Sequence, residues 1–92
     1  MAGTYRAKAL FHVKRAEHWQ ALVLAHEKEA MIRAPLVVQG RHQREDAILT
    51  DEYVAKTLLK DHHGYNTAVA NRNAHQAQAN MYALLANLYP DD

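Results

Sequence analysis

Small and apolar side chains recur at helical spacing through the C-terminal third of the chain. Thr67, Ala70, Ala74, Ala77, Met81, Leu84 and Leu88 follow one another at intervals of 3, 4, 3, 4, 3 and 4 residues. Intervals that alternate three and four form a heptad repeat and set all of these residues on one face of an α-helix. The seam changes character along its length. Its first part is alanine, which buries little area but lets two backbones approach closely. Its last part, with Tyr82, Leu85 and Tyr89 beside it, is a broad apolar end. Pro90 stops the pattern, so a helix is predicted over about 66–89.

Helical periodicity also runs through the N-terminal segment. Between Tyr5 and Ala34 there is no Gly or Pro, and good helix formers dominate. Leu10, Val13, Ala16, Trp19, Val23 and Ala30 form one apolar row, and Phe11, Leu22, Ala25 and Ile32 a second. Together they make a broad stripe suited to contact with more than one neighbour. Thr4 is the predicted N-cap. Pro35 disfavours helical geometry at Ala34, which predicts a helix over about 4–34 and a connector over 35–40.

A middle helix is predicted over about 45–63. Thr50 before Asp51 and Glu52 is a good N-cap with acids in the first turn; a start near Glu45 is the alternative. Ile48, Ala55, Leu58, His62, Tyr65 and Val69 lie along one row from that earlier start. The heptad seam does not continue back through Gly64, since its earlier members would be His63, Lys60 and Lys56. That loss of phase predicts a turn at His63 and Gly64, with Asn66 capping the next helix; a kink in one long helix is the alternative. No second strand candidate accompanies Leu36 to Val38, so the expectation is an all-α protein. Two or three helices form an antiparallel hairpin or bundle in a single domain, 1–92, that associates into a helical oligomer.

Charge sharpens this expectation. The net charge of +1 conceals eight Lys/Arg against three Glu in residues 1–44, and three Lys/Arg against seven Asp/Glu in residues 45–92. Opposite halves attract, which favours the first lying along the second within one chain or between two. Residues 66–89 carry one formal charge, Arg72; Asn71, Asn73, Gln76, Gln78, Asn80 and Asn87 supply the rest of the polar surface. Amides buried between subunits can pair with one another at less cost than ions can be desolvated. The predicted interface therefore comprises Trp19, Leu22, Ala70, Ala74, Ala77, Met81, Leu84, Leu85 and Leu88.

Residue chemistry narrows the function classes. The chain has no cysteine and no serine, and its threonines lie beside no base in a catalytic motif. The three glycines, at 3, 40 and 64, build no phosphate loop. None of the seven histidines forms an i, i+4 pair or a Glu-x-x-His motif; His26 with Glu29 is the nearest metal-like spacing. The expectation is a non-enzymatic protein without cofactor or metal. The longest apolar run, Ala21 to Ala25, is far short of a membrane span, which points to a cytoplasmic chain rather than a membrane protein.

The function expected on these grounds is a self-associating α-helical interaction or assembly module, an accessory or adaptor of bacterial or phage type that binds a partner protein. The alternative is a small helical DNA-binding regulator. It would use the basic first helix, with Arg6, Lys8, Lys14 and Arg15, and Arg72 at the Asn-rich start of the last helix.

Overall fold

The computed structural model describes residues 3–40 and 50–90, with side chains placed through residue 37 of the first stretch. Among them are three helices and no strand: α1, Thr4–Gly40; α2, Asp51–Lys60; and α3, His63–Leu88. The molecule measures 66 × 19 × 16 Å, with a radius of gyration of 19.5 Å. A compact chain of this length would have about 12 Å. The elongation follows from α1, whose 37 residues rise about 55 Å at 1.5 Å each.

The inner face of α1 is a heptad row: Tyr5, Ala9, His12, Ala16, Trp19, Val23, His26 and Ala30, every member buried or half-buried. The facing row on α3 is Tyr65, Ala68, Arg72, His75, Ala79, Tyr82 and Ala86, again buried or half-buried throughout. Contacts pair low-numbered residues of α1 with high-numbered residues of α3: Tyr5 with Tyr82 and Tyr89, His12 with His75, Gln20 with Arg72, Glu27 with Tyr65. The contact is built from alanines that allow close approach, with long polar side chains bridging at their tips.

This arrangement sorts the predicted rows into inward and outward ones. Ala16, Trp19, Val23 and Ala30 face inward as expected, but Leu10, Phe11 and Ile32 are more than half exposed. On α3 the predicted seam, apart from half-buried Thr67, lies on the side away from α1: Ala70, Ala74, Ala77, Met81, Leu84 and Leu88 are all exposed. The pattern reading counted only small and apolar residues. The pairing that wins combines alanine with His, Tyr and Arg, whose apolar bodies pack while their polar ends find partners across the helices.

Helix boundaries differ where local rules compete with packing. α1 does not end at Ala34 but runs through Pro35 to Gly40. Proline inside a helix removes a hydrogen bond and crowds the preceding turn, at a cost of about 3 kcal/mol. Here Ala30 and fully buried Ala34 pack with Val54 and Ala55 of α2, with Val37 and Leu59 at the edge, a contact that offsets this cost as the helix continues past Pro35. At the other end Gly3 has a φ of 96° and its carbonyl accepts from the Ala7 N–H at 2.7 Å, so the chain enters α1 through Gly3 and Thr4 is the first helical residue.

Thr50 is the N-cap of α2, its Oγ1 accepting from the Tyr53 N–H at 3.1 Å, with Asp51 and Glu52 in the first turn. The alternative start near Glu45 and the row member Ile48 lie outside the described residues. The α2–α3 turn falls at Asp61 and His62, two residues before the predicted place. His62 takes the N-cap role through Nδ1, which accepts from the Tyr65 N–H at 3.0 Å. Asn66 works on the other side of the turn, donating from Nδ2 to the Lys60 carbonyl at 3.0 Å. Gly64 lies inside the first turn of α3, where a Cβ would come within 3.2 Å of the His62 ring and 3.5 Å of the His26 ring. Its role is close approach of two imidazoles rather than a turn between helices.

Candidate interaction surface

The two faces of α3 differ in kind. Toward α1, polar contacts satisfy the side chains that the packing partly desolvates. Arg72 donates from Nη1 to Gln20 Oε1 at 2.8 Å and from Nε and Nη2 to Asn73 Oδ1 at 3.1 Å. Tyr65 donates to Glu27 Oε2 at 3.3 Å, and burial together with the Glu27 carboxylate pushes the phenol pKa above its usual 10.0. His12 and His75 meet through their Nδ1 atoms at 2.9 Å, and His12 stacks on Tyr82, which in turn stacks on Tyr5. No buried side-chain nitrogen or oxygen among the described residues lacks a partner.

The opposite face of α3 carries the predicted seam and no formal charge. Met81 is 44% exposed, Leu84 58% and Leu88 61%, an unusual accumulation on one stripe of a chain whose core is mostly alanine. Asn66, Asn73, Asn80 and Asn87 follow at successive intervals of seven, forming an amide row along one border of that stripe. Of the other predicted interface residues, Trp19 and Leu85 are half-buried, and Leu22 is at the boundary with 37% exposure. The structure thus separates Trp19 from the exposed α3 stripe instead of joining them.

Exposed apolar side chains also occur on the outside of α1, at Leu10, Phe11, Leu24, Met31 and Ile32. That surface differs from the α3 stripe because Lys14, Glu17 and Lys28 are exposed among them. The residues named for nucleic-acid contact do not form one patch. Arg6, Lys8, Lys14 and Arg15 are exposed along α1, with the Lys8 ammonium 5.5 Å from the centre of the Tyr82 ring. Arg72 is half-buried and engaged with Gln20 and Asn73.

Histidine pairing across helices was not readable from spacing, because the partners are 63 and 36 positions apart: His12 with His75, and His26 with His62, ring centres 5.1 and 4.8 Å apart. Among the described residues no three His, Asp or Glu side chains converge as a metal-binding group. No described helix is long and apolar enough to cross a membrane. Comparison with family models, with curated proteins and with solved structures finds no match, so the functional reading rests on the chain's own chemistry.

Proposed function

We propose that this protein is a non-catalytic assembly module: an antiparallel helical hairpin that associates with further copies of itself, and through them with a partner protein, by the outer face of α3. One observation carries the reading. The heptad seam from Ala70 to Leu88 points away from α1 and remains uncovered by the rest of the described chain. A seam of this kind is stabilised when another helix packs on it.

Charge supports a second copy of α3 as the first occupant. Packing α3 on α3 buries alanines, Met81, Leu84 and Leu88 beside amide rows that can hydrogen-bond to each other, and desolvates no formal charge. Packing α3 on the outer face of α1 would desolvate Lys14 and Lys28. In an opposed alignment centred on Ala77, small residues meet large ones, with Ala74 near Met81 and Ala70 near Leu84. That keeps the helix separation even along the contact.

The contact is modest in size, about 27 Å long and a helix width across, which places it with the smaller, reversible interfaces. Sedimentation or light scattering over a concentration series tests the reading. A dimer or larger assembly is expected, dispersed to monomer by Leu84→Glu with Leu88→Glu; a strict monomer at about 100 μM, tenfold or more above the Kd of ordinary specific dimers, overturns it.

A further inference from the structure

The contact between His12 and His75 does more than close the hairpin. Their Nδ1 atoms are 2.9 Å apart, and the two rings come from α1 and α3, the longest helices of the molecule. The His12 ring is held flat against Tyr82, 7° from parallel at 5.6 Å, and Tyr82 is backed by Tyr5. With their centres 5.1 Å apart the two rings meet nearly end-on, so a modest turn of each ring brings both nitrogen donors onto one ion. Metal–nitrogen bonds to histidine are about 2.0–2.1 Å long. Donors separated by 2.9 Å then subtend about 90° at a shared ion. A tetrahedral ion needs its donors about 3.3 Å apart, whereas a tetragonal or octahedral ion takes two cis donors at the separation found here.

We propose that His12 and His75 form a cis bis-imidazole site for a divalent transition ion of the nickel or copper class, which would clamp α1 to α3. Water completes the coordination shell, since no third protein ligand converges there among the described residues. In the metal-free pair one ring holds its proton on Nδ1 and donates it to the other. On binding, that proton passes through solvent to Nε2 of the same ring, leaving both Nδ1 lone pairs on the ion and releasing no net proton from a neutral pair. The Arg15 charge acts on His75. The Arg15 charge also opposes a bound cation. Removing it should strengthen the site.

The other histidine pair provides an internal control. His62 already uses Nδ1 to cap α3, so His26 and His62 do not offer the same chelate. Thermal unfolding of the full chain is measured by circular dichroism with and without nickel chloride, beside His12→Gln, His75→Gln, His26→Gln and Arg15→Gln. Nickel should raise the wild-type and His26→Gln melting temperatures by several degrees and the Arg15→Gln melting temperature by more, with no rise in His12→Gln or His75→Gln. A nickel shift absent from wild type, or unchanged in His12→Gln, overturns the proposal. Should a glutamine variant fail to fold, wild-type NMR decides: substoichiometric nickel must broaden the ring signals of His12 and His75 before those of the other histidines, and any other order counts against the site. Self-association does not enter this test, because both ligands belong to one chain.

Discussion

The guanidinium of Arg72 donates to the Oε1 of Gln20 at 2.8 Å, across the α1–α3 contact. The one formal charge in residues 66–89 is thereby turned toward α1, and the far side of α3 is left uncharged. A single side chain links the polar inner seam to the apolar outer one.

Arg72→Met keeps helix propensity and the side chain's apolar stem while removing the bonds to Gln20 and Asn73. A charged hydrogen bond at a half-buried position contributes about 1–2 kcal/mol, partly offset by solvent screening. Urea unfolding should show a loss of about 1 kcal/mol. Gln20→Leu in the Arg72→Met background should add little, and a full second loss would mean that the two residues act independently.

Inner and outer apolar residues should respond differently to truncation. Val23 is 1% exposed and is the largest fully buried side chain among the described residues. Val23→Ala removes two buried methyl equivalents and leaves space behind, a loss of about 2 kcal/mol in unfolding free energy at any protein concentration. Leu84→Ala should leave the dilute monomer within about 0.5 kcal/mol of wild type and weaken association instead. Equal effects of the two substitutions at low concentration would contradict the inward and outward assignment.

Pro35 is exposed while the helix around it continues, so replacing it relieves a local conflict without disturbing the core. Pro35→Ala restores an N–H that can donate to the Met31 carbonyl and removes the ring clash. The gain is reduced by about 0.4–1 kcal/mol through the added freedom of the unfolded chain. A net stabilisation of about 2 kcal/mol and a higher melting temperature are expected. A lower melting temperature would show that the proline contributes to how α1 meets α2.

Acid should weaken the α1–α3 contact through His75, whose pKa desolvation, His12 and Arg15 lower from 6.5. As pH falls through about 6.5, the unfolded chain takes up a proton at this position before the folded chain does. Folding is therefore disfavoured progressively from there down to the folded-state pKa, below which the contribution levels off; above about 7 it changes nothing. Melting temperatures recorded in chelator across this range should fall on the acid side, and His75→Gln should show a shallower fall.

Helix content, the N-cap at Thr50 and the stop before Pro90 were legible in the sequence because each depends on chemistry within a few residues. The heptad of Thr67 to Leu88 was legible too, as a seam with a need for cover. Its direction was not. Two interleaved heptads run along α3, one of alanine and apolar residues, the other of alanine with Tyr65, Arg72, His75 and Tyr82. A reading that counts only small and apolar positions selects the first. The described chain instead packs the second against α1, because only there do His12, Gln20 and Glu27 lie opposite side chains that satisfy them.

What the sequence by itself determined is therefore the set of helices and the presence of an uncharged heptad on α3, both products of local period and composition. Tertiary structure alone decided that α1 passes through Pro35, that the turn lies at Asp61 and His62, that distant histidines pair, and that the apolar heptad faces outward. In each case the deciding free energy comes from contacts between residues far apart in the chain. Sequence period records how residues are spaced along one helix, and which face meets another depends on what that other helix presents.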